Sequence, residues 1–127
     1  MKNMWLTFLV IAASLFWTPR LASGHHGWAA FESKTTVTFK GTVTDFHFVN
    51  PHSVVDFEVT DEHGQVQKWQ GELTSAARLA SKGWTATTLE DGNEVTITGY
   101  CAQSGVRTLR ISKIIANGTE LKIEAGN

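Results

Sequence analysis

Two adjacent histidines, His25-His26, stand where the small residues Ala22, Ser23 and Gly24 close an apolar leader, so cleavage there would set an imidazole beside a free amine. A cut after Gly24 exposes His-His, in which the amine and the imidazole of His25 chelate one ion. A cut after Ser23 or Ala22 exposes Gly-His-His or Ser-Gly-His-His, in which the amine, the amide nitrogens and a third-position imidazole form a square-planar nitrogen site. Cu(II) prefers such geometry, with Ni(II) next. His52 is the third candidate ligand, because Asn50-Pro51-His52 holds it in a constrained turn, and scaffolded loops are where binding groups concentrate. The expected metal ligands are therefore His25, His26 and His52, with copper first and nickel or zinc after it. The plain alternatives are a solvated chain end and a histidine that merely caps its turn.

The remaining histidines read as structural. His63 sits in the acidic turn Asp61-Glu62-His63-Gly64, and His47 points away from the face that carries Phe46 and Phe48, as a half-exposed sheet residue. Glu58 and Glu72 are candidate acceptors for the second ring nitrogen of a metal-bound imidazole. Trp28, Phe31, Trp69 and Trp84 read chiefly as core aromatics, with stacking on a planar ligand as the alternative. The single cysteine, Cys101, follows Tyr100 at the end of an apolar strand and is expected to be buried and inert. One cysteine allows no intrachain disulfide, and the lack of cysteine pairs argues against structural zinc or iron–sulfur clusters. No Gly-x-Ser-x-Gly elbow or phosphate-cradling glycine loop occurs, and Ser53 beside His52 has no evident orienting acid. The chain therefore reads as a binding protein rather than an enzyme.

The elements that must position these residues are mostly strands. Val37, Phe39 and Val43 share one alternation phase and Phe46 and Phe48 the other, so a long first strand must switch faces at a bulge near Thr44-Asp45. Asn50-Pro51 ends it. A second strand alternates through Val55, Phe57 and Val59, and the Asp61–Gly64 turn joins it as a hairpin to a third, residues 65–72. Thr74 is the expected N-cap of a short helix over 75–82, with Ala76, Leu79 and Ala80 toward the core and Gly83 stopping it. A fourth strand carries Val95 and Ile97 and bends at Gly99. A fifth covers 106–116, and Asn117-Gly118 turns the chain into residues 121–123. The expected fold is all-β with one short helix, a small Greek-key barrel of the oligonucleotide/oligosaccharide-binding (OB) type; a small open β-sandwich is the alternative.

Lys2, the apolar run Met4–Trp17 and the break at Thr18-Pro19-Arg20 have the form of a secretory signal over residues 1–24, and the apolar run is short for a membrane span. Cleavage leaves residues 25–127 as one domain with nine basic and twelve acidic residues. An uncleaved N-terminal anchor is the minority reading. Mild acidity and export both argue against a nucleic-acid partner.

Several pieces together are similar to a known family. They are His25-His26-Gly27 with Phe31, Lys40-Gly41-Thr42-Val43, Val49-Asn50-Pro51-His52, Trp69 with Glu72, Lys82-Gly83-Trp84, and the run from Leu89 to Gly99. In their order and spacing the chain resembles the small exported bacterial proteins grouped as the domain of unknown function DUF6152. Gly27 stands where that pattern often has serine after the paired histidines. The resemblance implies export and leaves the activity open.

The expected function is thus that of a periplasmic or secreted metal-binding barrel that binds, buffers or delivers an ion. The competing expectation is a metal-free module whose rim binds a peptide, a glycan or an envelope protein.

Overall fold

The computed structural model describes residues 31–123, without the side chains of residues 32–34. The leader, His25, His26 and Trp28 lie outside the described residues. Six strands and one helix follow in the order β1 (Phe31–His47), β2 (Val54–Thr60), β3 (Val66–Glu72), α1 (Ala76–Ala80), β4 (Glu94–Ala102), β5 (Thr108–Ala116) and β6 (Thr119–Leu121). Among the described residues no helix is long and apolar enough to cross a membrane.

Hydrogen bonding runs β3-β2-β1-β4-β5-β6, and β3 also pairs with β5, so the first five strands form a ring. Every pairing is antiparallel except β3 with β5, which is parallel through Gln70–Thr108, Gly71–Leu109 and Glu72–Arg110. A meander, a helix after the third strand and a ring closed between the third and fifth strands give the barrel-like arrangement expected of the OB type. The bonded ring rules out the open sandwich.

One long strand serves two neighbours because β1 changes partner along its length. Its first part pairs with β4 through Thr42–Glu94, and its last part with β2 from Thr42–Glu58 to His47–Val54. The expected face switch is present as a register shift between Val43 and Asp45. Val43 is fully buried before it, and after it Phe46 packs inward with ring centroids 5.8 Å from Trp84 and 5.9 Å from Phe48. Hydrophobic alternation and strand register thus agree, and the bulge reconciles them.

The core consists of Val43, Val55, Phe57, Leu73, Leu79, Leu89, Ile97, Leu109 and Ile114 with their neighbours. Three strand glycines, Gly41, Gly71 and Gly99, leave no room for a Cβ against the neighbouring strand. A Cβ on Gly99 would strike the Arg110 carbonyl oxygen, and one on Gly71 would come within 2.6 Å of Ile111 Cδ1. At the β5–β6 turn both Asn117 (φ 49°) and Gly118 (φ 84°) are left-handed, as a two-residue type I′ hairpin requires.

The helix departs from the sequence reading at its start. Ser75, not Thr74, is the N-cap, its hydroxyl accepting from Arg78 N at 3.2 Å. Thr74 is buried, its carbonyl accepting from Ser53 N, which draws it into the underlying loop and leaves Ser75 at the helix mouth. Ala76 and Leu79 face the core, but Ala80 is exposed. The helix also ends short of the expected residue 82, at Ala80 with Ser81 as its C-cap, and the turn that follows closes at Gly83 (φ 91°), where Gly83 N donates to Ala80 O and Trp84 N to Leu79 O, the paired bonds of a Schellman ending. That ending turns Trp84 inward, where its indole N–H donates to Lys122 O at 2.8 Å.

Candidate functional site

The bulge in β1 also determines which side chains meet water. Beyond it, Asp45 and His47 project outward while Phe46 projects inward. Asp45 lies directly opposite Asp56 of β2. His47 Nε2 is 2.9 Å from Asp56 Oδ2 and 3.4 Å from Asp45 Oδ2. Among the described residues, Asp45, His47 and Asp56 are the His, Cys or carboxylate group of three whose ligand atoms converge, all within 4.8 Å of one another.

Each carboxylate is held by its other oxygen. Phe46 N donates to Asp45 Oδ1 at 2.8 Å, and Gln70 Nε2 donates to Asp56 Oδ1 at 3.0 Å. Both Oδ2 atoms are thereby turned toward the imidazole. This is the outer-sphere support that fixes metal-binding carboxylates, supplied here by a backbone amide and by a β3 side chain directly across from Asp56. With no ion bound, Nε2–H of His47 donates to Asp56; an ion would require the tautomer protonated on Nδ1.

The other candidates fall elsewhere. His52 follows the cis Asn50–Pro51 bond, is half-buried, and is not one of the converging groups. The loop around it is tightly anchored. Ser53 is fully buried and its hydroxyl bonds both Val49 O and Val49 N, while Asn50 Oδ1 accepts from Ala77 N in the helix. Ser53 is therefore a structural hydroxyl. The acceptor facing an imidazole is Asp56 rather than Glu58 or Glu72; Glu58 stands opposite Lys68 across the β2–β3 ladder.

Trp84 is a core residue as expected. Trp69 is half-buried, its ring 4.5 Å from that of Phe39. Cys101 is half-buried rather than buried, and desolvation holds its thiol above the ordinary cysteine range.

An open groove of about 460 Å³ adjoins the cluster and shares Asp56 with it. Thr44, Glu58, Lys68, Gln70 and Arg107 also line it. Gln70 connects the two features: its side chain holds Asp56, and its backbone N–H donates to Arg107 O at 3.0 Å.

Residues 14–110 match the sequence pattern of the family of unknown function DUF6152. The chain belongs to DUF6152. No curated protein matches this DUF6152 member. It is similar to the crystal structure of the ZRD-deleted mutant of TiaS in complex with agmatine, with 19% identity and a TM-score of 0.43, over 75% of this chain and 26% of that one. The DUF6152 chain thus spans about a quarter of that protein, and a likeness at this score bears on neither fold nor ligand.

Proposed function

We propose that this DUF6152 protein is an exported barrel, periplasmic or secreted, that binds a transition-metal ion for buffering or delivery, copper first and nickel or zinc after it. The supporting observation is the convergence of Asp45, His47 and Asp56, with both carboxylates held so that one oxygen of each faces the imidazole.

One nitrogen and two carboxylate oxygens make an incomplete set for copper, which favours imidazole and amine nitrogen. The mature N-terminus carries the missing donors in His25 and His26. The first described residue of β1, Phe31, has its carbonyl bonded by Gln103 Nε2 at 3.4 Å, at one end of the β4–β5 loop. The other end of that loop is Arg107, bonded to Gln70, which holds Asp56. Extended, the six residues 25–30 span about 20 Å. His52, in the loop that follows β1, is the further imidazole of this reading.

Titration of the processed protein with Cu(II) tests the proposal. Affinity is expected to fall at least tenfold in His47→Ala and again in His25→Ala; equal affinity in wild type and both variants would overturn it.

A second reading rests on a different observation. Trp69 is half-exposed, and Val66 and Val106 are exposed at 57% and 58%. These side chains suit a metal-free module that captures an envelope protein, in which case Trp69→Ala abolishes capture and a chelator leaves it intact.

A further inference from the structure

A second open groove, of about 540 Å³, shares no residue with the Asp45–His47–Asp56 cluster or with the groove beside it. Its lining is Lys82 just past the helix, Ser112 and Lys113 of β5, and the chain from Glu120 to Ile123 at the end of β6. Its volume lies within the range of small-molecule sites. We propose that this groove binds an amphiphile with a phosphate head and a single aliphatic chain, independently of the metal reading.

Local structure brings three ammonium groups to one place. The β4–β5 register passes from Thr98–Lys113 to Gly99–Ile111, so Ser112 is an extra residue, and Ser112 and Lys113 both lie outside the core between the buried Ile111 and Ile114. The Ser112 hydroxyl pins this bulge by donating to Thr98 O at 3.2 Å. Across from it Leu121 stands opposite Ile114 and packs with Ile123 against the core, while Glu120 and Lys122 are exposed. The Trp84 indole fixes the end of this edge through its bond to Lys122 O, and Lys82 is exposed two residues before that tryptophan.

Charge selects the head. Lys113 pairs with Glu120 at 3.5 Å, and among the described residues Glu120 is the one acid of the lining, so three lysines against one glutamate leave a formal charge of +2. A phosphate monoester carries about −1.5 to −2 at neutral pH, close to the matching value. Lysine binds phosphate as a point charge, whereas a carboxylate is matched best by an arginine fork, and every cation of this lining is a lysine. The wall selects the tail. Leu121 and Ile123 are half-buried and leave apolar surface in the groove, which the lysine stems extend. Inorganic phosphate would leave that surface wet, and an alkyl carboxylate would neutralise only half of the lining charge.

Calorimetric titration of the processed protein with octyl phosphate, below its micelle concentration and with no metal added, tests this. One molecule per chain is expected, bound roughly tenfold or more tightly than inorganic phosphate or octanoate. The indole N–H resonance of Trp84 should move in step with binding, because its acceptor is the carbonyl of Lys122. Lys122→Gln should weaken binding about fivefold and Glu120→Gln, which releases Lys113, should tighten it about fivefold, the upper end for exposed charge pairs. Opposite signs from two exposed neighbours separate the charge effect from damage to the fold. Octanoate binding as tightly as octyl phosphate overturns the phosphate head, and inorganic phosphate binding as tightly overturns the chain. Unchanged affinity in both variants, or an unmoved Trp84 resonance at saturation, overturns the site. Protein that takes up no octyl phosphate overturns the whole inference and leaves the metal reading standing.

Discussion

Asp45 and Asp56 occupy one register position across the β1–β2 ladder, two carboxylates face to face with the His47 ring nitrogen between them. Like charges directly opposite one another destabilise a sheet. At pH 8, above the ordinary histidine range, Asp45→Asn is therefore expected to stabilise the metal-free protein by a few tenths of a kcal/mol, within the ~0.2–1 kcal/mol of a cross-strand pair. The same change should weaken Cu(II) binding. Urea melts with EDTA and with copper check both halves, and a variant that loses stability in EDTA would show that the opposed carboxylates are not in conflict.

Gly99 lies on β4 against Arg110 and Leu109 of β5, with no room for a side chain. An alanine Cβ there would strike the Arg110 carbonyl and stand 2.5 Å from Leu109 Cδ1, in a fully buried part of the core. Gly99→Ala is expected to cost about 1–3 kcal/mol, the usual range for forcing extra volume into packed structure. Thermal unfolding measures this. Gly92→Ala meets nothing within 4 Å but sits at φ 88°, so it reports backbone strain without crowding.

Acid should act on the β2–β3 turn through Asp61. The Gln65 backbone N–H and the Gln67 side chain, followed by the His63 N–H and the Arg107 charge, hold its carboxyl below the ordinary value of 3.8. A depressed folded-state value means that its contribution to stability is present above 3.8 and is lost as pH falls through the folded value. Asp61→Asn should flatten the pH dependence of stability below about pH 4 and leave it unchanged at pH 7. Denaturation at a series of pH values distinguishes this from a turn insensitive to the charge.

The Cys101 thiol, raised by desolvation, has less thiolate at neutral pH than a free cysteine. It should react with a disulfide reagent more slowly than a cysteine peptide at pH 7.5 and reach the peptide's rate once guanidinium unfolds the chain. Peptide-like reactivity in the native state would mean that the half-buried thiol is open to solvent.

The strand pattern was legible because burial writes it directly: the change of phase between Val43 and Phe46 located the bulge, and Asn117-Gly118 located the last turn. The helix start was misplaced by one residue because Thr74 and Ser75 are both acceptable caps by type, and the Ser53–Thr74 backbone bond draws Thr74 into the loop and leaves Ser75 to cap. Cys101 and Trp69 read as more buried than they are, since apolar character does not reveal how near a strand end lies to the barrel mouth. His47 was assigned correctly to the outer face, but its partnership was missed. Asp45 and Asp56 are eleven positions apart and meet only when the bulge and the hairpin register are combined. Both signals are in the sequence; counting the β1–β2 pairing back from the Asp61–Gly64 turn through the bulge would have joined them.

The ring closes through only three residue pairs, Gln70 to Glu72 against Thr108 to Arg110. They are fewer than the pairs of any other seam in the ring and join segments some forty positions apart, so this parallel seam should be late to form and early to open. Opening of the ring would then register as faster amide exchange at residues 108–110 than along the β1–β4 ladder.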